Sequence, residues 1–103
     1  MPERRLDFRV EVSAAEDLAR VFTLLNGIVA ANPKVLASPP PESYLSSINS
    51  DTAQLNCRLW VASSDYWQVY YQLLDQTRLK FTEQNIACPP GKTLMQLEEK
   101  SLP

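Results

Sequence analysis

The run Asn56–Gln72, NCRLWVASSDYWQVYYQ, holds both tryptophans of the chain and three of its four tyrosines. Its first part continues an alternation that begins at Ala53. Ala53, Leu55, Cys57, Leu59 and Val61 fall on one side, and Gln54, Asn56, Arg58 and Trp60 on the other. Period two predicts a strand buried on one face only. Ser63-Ser64-Asp65 then breaks the alternation with residues that cap helices. From Tyr66 the apolar residues recur at helical spacing, out to about Gln84. The stretch therefore reads as a strand feeding a helix, with the large aromatics gathered at the junction. A catalytic pocket, a nucleic-acid platform and a subunit contact are three uses for such a cluster.

Working outward, Tyr44–Ile48 predicts a second strand, and Asn49-Ser50-Asp51 has turn composition. With the strand that follows, these form a hairpin. Val35–Pro41 is a connector, and Pro39-Pro40-Pro41 predicts a short polyproline II segment within it. Before it, Leu18, Val21, Phe22, Leu25, Ile28 and Val29 mark a helix that Asn32-Pro33 ends. Ser13-Ala-Ala-Glu16 predicts a capping box at its start. Leu6, Phe8, Val10 and Val12 alternate with Asp7, Arg9 and Glu11, which predicts a first strand. Beyond the second helix, Asn85 and Pro89-Pro90-Gly91 supply a stop. Thr93–Leu97 is a candidate last strand, with Leu94, Met95 and Leu97 as its apolar residues.

The order strand, helix, strand, strand, helix, strand predicts an α+β domain of ferredoxin-like βαββαβ type. An antiparallel sheet would carry both helices on one face and leave a polar face uncovered. One domain is expected over residues 1–92, with 93–103 as last strand and tail. The expected core is Phe8, Val10, Phe22, Leu25, Leu55, Leu59, Tyr70, Leu74 and Phe81.

Composition narrows the function. The 103 residues carry a formal charge of −2, unlike the basic face of a general nucleic-acid binder. The third strand also lacks the Lys/Arg-Gly-aromatic pattern with which RNA-binding domains of this strand order stack bases. There is no histidine and there are only two glycines, so the commonest acid–base group, the commonest metal ligand and a glycine-rich phosphate loop are missing. Cys57 is expected inward as a small hydrophobe, and nothing basic adjoins Cys88 to activate it. Both are read as reduced thiols. No base stands beside Ser63 or Ser64. No catalytic residue, cofactor or metal site is predicted. No apolar run approaches the roughly 18 residues of a membrane span, and the first residues do not resemble a signal peptide.

The second helix has more apolar surface than a two-layer domain needs. At about 100° per residue, Val69, Leu73, Tyr66, Thr77, Tyr70, Phe81, Leu74, Trp67 and Tyr71 fill an arc of roughly 200°. Tyr70, Leu74 and Phe81 are expected at its centre, over the sheet. Tyr66 with Val69 lies towards one margin and Trp67 with Tyr71 towards the other, and Trp60 points to the polar side of its strand. Such half-wet aromatics suit a contact surface.

Leu55–Pro90 resembles the C-terminal cytoplasmic domain of small-conductance mechanosensitive channels, the MscS-like family. The resemblance rests on Arg58, Trp60, Asp65, Tyr66, Trp67, Tyr70, Phe81, Ile86, Pro89 and Pro90 in that order. Arg4-Arg-Leu-Asp-Phe-Arg-Val and Asn32-Pro-Lys-Val-Leu extend it through the first half. Cys88-Pro-Pro-Gly-Lys-Thr departs from the family's usual phenylalanine-proline-glutamine exit.

The resemblance implies a cage or vestibule domain without catalysis of its own, on the cytoplasmic side of the inner membrane. It implies self-assembly, as a homoheptamer in the full channel, with ions and small solutes passing and no nucleic acid bound. The channel's membrane helices and middle β-domain are not in this sequence, which is expected to be an excised domain or a free-standing relative. Subunit contacts are expected at Trp60, Tyr66, Trp67 and Tyr71. The alternative is a stand-alone oligomeric ligand-binding or regulatory domain that uses the open sheet face. An acyl-phosphate hydrolase on this fold is a further class, disfavoured by the missing anion loop.

Overall fold

The computed structural model describes residues 2–86. Strand β1 spans Glu3–Ser13, helix α1 Leu18–Ala30, strand β2 Glu42–Ile48 and strand β3 Thr52–Ala62. A single 3-10 turn, Ser63–Asp65, leads into helix α2, Tyr66–Glu83. The candidate last strand, Thr93–Leu97, lies outside the described residues, as do Cys88 and the Pro89-Pro90-Gly91 stop.

The sheet order is β1-β3-β2. β3 is central and antiparallel to both neighbours, from Glu3↔Ala62 to Ser13↔Thr52 on one side and from Glu42↔Arg58 to Ile48↔Ala53 on the other. The alternation at sequence level sets this register, because every inward residue of β3 meets an inward residue of β1. Leu6, Phe8, Val10 and Val12 of β1 are buried, as are Ala53, Leu55, Cys57, Leu59 and Val61 of β3. They form one cluster with Val21, Leu25, Ile28 and Val29 of α1 and with Val69, Leu73 and Phe81 of α2. Both helices thus share one core with a single face of the sheet, and the architecture is α+β. Burying each large side chain in it contributes about 1.5–3 kcal/mol.

Local chemistry explains most boundaries. In the hairpin turn, Asn49 Oδ1 accepts from Asp51 N and Thr52 N, each at 2.8 Å. At the end of α2, Asn85 takes the left-handed conformation at φ 56°. There Ile86 N donates to Phe81 O at 2.9 Å and Asn85 N to Thr82 O at 3.2 Å. This pair of bonds is a Schellman motif, and it turns Ile86 back into the core.

Two expectations need correction. The capping box does not form, because β1 runs through Ser13 and Ala14 N still donates to Asp51 O. α1 therefore starts later, with Asp17 as N-cap accepting from Arg20 N. Ser13 Oγ accepts from Ala15 N instead, and Glu16 pairs with Arg20. The connector bends at the start of its triple proline. Residues 37–39 bend, and the Ser38–Pro39 bond is cis. The buried stripe of α2 is Val69, Leu73, Thr77 and Phe81. Tyr70 and Leu74, placed at its centre from the sequence, pack only partly buried at its side, and Phe22 of α1 is likewise partly buried. A width of apolar arc does not fix its centre. Here the helix is rotated so that Val69, Leu73, Thr77 and Phe81 meet the sheet, while Tyr70 and Leu74 stay at its flank.

Candidate functional site: the aromatic end of the domain

The end of the sheet where β1 begins and β3 finishes carries the aromatics. Trp67 is the hub of a ring cluster on the first turns of α2. Its indole lies 4.8 Å from Tyr66, 5.7 Å from Tyr70 and 6.1 Å from Tyr71, centroid to centroid. Tyr70 and Tyr71 are 5.3 Å apart. All but the Trp67–Tyr71 contact are edge-to-face, the geometry in which one ring's positive edge meets another's negative face. Tyr70 also meets Phe8 edge-on at 6.1 Å, which ties the cluster to the core of β1.

Arg4 completes this end. It shares a parity, and so a sheet face, with Leu6 and Phe8. At the start of β1 its guanidinium stacks over the Tyr66 ring at 3.9 Å, a favourable contact of about 0.5–1 kcal/mol at an exposed site. The sequence pattern gave no sign of this stack, since Arg4 precedes the alternating run. Tyr71 is the most open of the ring residues, 49% exposed.

The four predicted contact residues do not form one patch. Tyr66, Trp67 and Tyr71 come together on α2. Trp60 lies at the same end of the sheet but on its opposite face, since Leu59 and Val61 on either side point into the core. Its register partner there is Arg5, and its carbonyl accepts from Leu36 N at 2.9 Å. The aromatics therefore present two surfaces, one on each side of the sheet layer.

The outer sheet face is polar, as expected, but it is not simply solvated. Asp7 sits between Arg5 Nε at 3.4 Å and Arg58 Nε at 3.8 Å. Asn56 is only 4% exposed, although it points away from the helices. It is covered partly by Tyr44, whose hydroxyl accepts from Asn56 Nδ2 at 2.7 Å. Arg58 also lies 5.6 Å from the Tyr44 ring. The edge strand β2 exposes Tyr44, Leu45 and Ile48. Its burial does not alternate, so the sequence carried no signal for this patch.

Open space lies away from the aromatic end. A groove of about 700 Å³ runs between α1 and α2, lined by Gly27, Asn32, Gln72, Gln76 and Lys80 among others. Asn32 Nδ2 bridges it to Gln72 Oε1 at 3.0 Å. A smaller space of about 410 Å³ adjoins the connector at Leu36 and Pro41. Among the described residues no group of three or more His, Cys, Asp or Glu side chains is placed to hold a metal ion. Cys57 lies in the core, and burial pushes its thiol pKa up, away from the reactive thiolate. Among the described residues, no helix is long and apolar enough to cross a membrane.

Comparison with known proteins gives one answer. Residues 6–88 match the family described as mechanosensitive ion channel MscS, C-terminal. An uncharacterized MscS family protein of Synechocystis is 33% identical over 104 residues, covering 98% of this chain and 35% of the relative. The small-conductance mechanosensitive channel of Edwardsiella ictaluri is 27% identical, over 85% of this chain and 31% of its own length. In fold, the crystal structure of Helicobacter pylori MscS in a closed state is similar with a TM-score of 0.79 and 16% identity, over 96% of this chain and 40% of that one. Arabidopsis thaliana MSL1, solved by cryo-electron microscopy, is similar with a TM-score of 0.70 and 15% identity, over 90% and 35%. The chain spans about a third of the length of the relatives it matches.

Proposed function

The chain belongs to the family of C-terminal domains of MscS mechanosensitive ion channels, and from that premise we propose that it assembles with copies of itself as the cytoplasmic vestibule of such a channel. In this role it shapes the access of ions and small solutes and performs no catalysis. The observation that carries the reading is the aromatic end. Trp60, Tyr66, Trp67 and Tyr71 are large rings that are half-buried or exposed on a domain of modest size. Rings of this kind supply much contact area at low entropic cost. Their position on both sides of one sheet end suits a ring of subunits. A cyclic contact is head-to-tail, so each copy needs two different surfaces.

The polar outer face, with Asp7 paired to Arg5 along β1 and to Arg58 across on β3, suits a wall in contact with water. Seven copies and a cytoplasmic location follow from the resemblance and form part of the proposal.

The test is a graft. The chain replaces the equivalent third of an MscS family channel, and currents are recorded under membrane tension. Assembled channels that open with tension support the reading. A graft that folds but yields only unassembled subunits counts against it.

A further inference from the structure

We propose that the outer face of the sheet binds a small zwitterion, a molecule carrying a primary ammonium and a carboxylate, at Asp7, Asn56 and Arg58 beside Tyr44. The inference stands on the sheet face alone and does not rest on the channel reading.

Unsatisfied groups are concentrated there. Among the described residues, the buried side-chain atoms without a hydrogen-bond partner are Asp7 Oδ1, Asn56 Oδ1, Arg58 Nε and Thr77 Oγ1. Thr77 is in α2, and the other three share one patch of the outer face. Asp7 and Arg58 are register partners, and Asn56 lies two residues before Arg58, on the same face of β3. Folded proteins leave few such atoms, and each calls for a cause. Asn56 departs furthest from the rule. It is buried on the face turned away from both helices, and its carbonyl oxygen has no donor.

The ion pair is loose in the same place. Arg58 Nε stands 3.8 Å from Asp7 Oδ1, beyond hydrogen-bond distance, so the carboxylate oxygen and the guanidinium nitrogen are both left short. The three atoms together specify what they lack. Asn56 Oδ1 and Asp7 Oδ1 only accept and require donors, whereas Arg58 Nε only donates and requires an acceptor. A primary ammonium brings three donors, and a carboxylate brings the acceptors that a guanidinium meets best. An anion alone leaves both oxygens unmet, and a cation alone leaves Arg58 unmet.

The surrounding charges are mixed in the same way. The rows through this patch carry Arg5, Arg9 and Arg58 against Asp7 and Glu42, which suits a ligand bearing both signs. Tyr44 is the cover. Its hydroxyl accepts from Asn56 Nδ2 at 2.7 Å, and the Arg58 guanidinium lies 5.6 Å from its ring. Tyr44 stands on the edge strand and is 40% exposed, so its ring can turn aside without disturbing the core. Closing back, the ring face meets the ammonium in a cation–π contact.

The test is titration of the full 103-residue chain with glycine at neutral pH and constant ionic strength, followed by NMR of its amide groups. Expected are saturable shifts at Asp7, Asn56 and Arg58, the Asn56 side-chain amide included. Acetate lacks the ammonium, methylammonium lacks the carboxylate and trimethylglycine lacks the N–H donors. Each should bind at least about tenfold more weakly than glycine, the loss expected for a missing charge-assisted hydrogen bond. Arg58→Gln should weaken glycine binding by a similar factor. The absence of saturable shifts up to molar glycine overturns the proposal. Equal binding of acetate, methylammonium or trimethylglycine also overturns it, because one charge, or no donor, then suffices. Should Arg58→Gln fail to fold, the comparison of the four ligands on the natural chain decides by itself.

Discussion

Thr77 occupies the middle of the buried stripe of α2, fully buried, and its hydroxyl has no hydrogen-bond partner. An unpaired buried hydroxyl costs about 1–3 kcal/mol of desolvation, and threonine and valine differ little in helix propensity. Thr77→Val is therefore expected to raise stability by about 1 kcal/mol in urea unfolding. A clear loss would mean that the hydroxyl has a role in the fold. Cys57 makes a second prediction. Burial raises its thiol pKa first of all; a hydrogen bond with Ser43 opposes the rise and the charge of Asp7 adds to it. A raised folded value means that the unfolded chain loses the proton first. The associated stability is whole below the unfolded thiol value, about 8.5, and is lost as pH rises through the folded one. Unfolding from pH 7 to 10 should show natural chain and Cys57→Ala converging as pH increases. Parallel curves would contradict the assignment. Of these residues, Cys57 was legible, because strict alternation fixes which face a strand residue takes. The shelter around Asn56 was not, because it depends on Tyr44 reaching across from β2.

Elements were legible wherever one local signal acted alone. The hairpin turn followed from Asn49, the stop of α2 from Asn85, and the faces of β1 and β3 from period two. Legibility failed where two signals competed. Ser13 could cap a helix or extend a strand, and the long β1–β3 ladder takes it into the sheet. The broad arc of α2 allowed several rotations, and only the packed sheet selects Val69, Leu73, Thr77 and Phe81. Helix α1 carries a prediction of its own. Gly27 lies within it, and a Cβ added there meets nothing within 4 Å. Glycine inside a helix costs roughly 0.5–1 kcal/mol relative to alanine. Gly27→Ala should stabilise the domain by that amount in thermal or urea unfolding. No gain would indicate that the groove beside it is closer than the backbone suggests.

For the whole molecule, the candidate site was half legible. Sequence named Trp60, Tyr66, Trp67 and Tyr71 as half-wet aromatics. It could not show that the sheet layer separates Trp60 from the other three, nor that Arg4 stacks on Tyr66. Those facts belong to tertiary placement, and they change the proposal from one patch to two surfaces of a head-to-tail contact. If the two surfaces meet between copies, losing either should weaken assembly and leave the fold intact. Trp60→Ala and Tyr71→Ala are expected to do so, with circular dichroism unchanged. The most direct measurement is the mass of the chain in solution, by light scattering after size exclusion over a wide range of concentration. Self-assembly predicts a mass that rises above the 11.7 kDa of one copy towards a closed ring, and that falls back to it in Trp60→Ala. A mass of one copy at every concentration, for the natural chain and the variant alike, would contradict the claim that these aromatics join subunits.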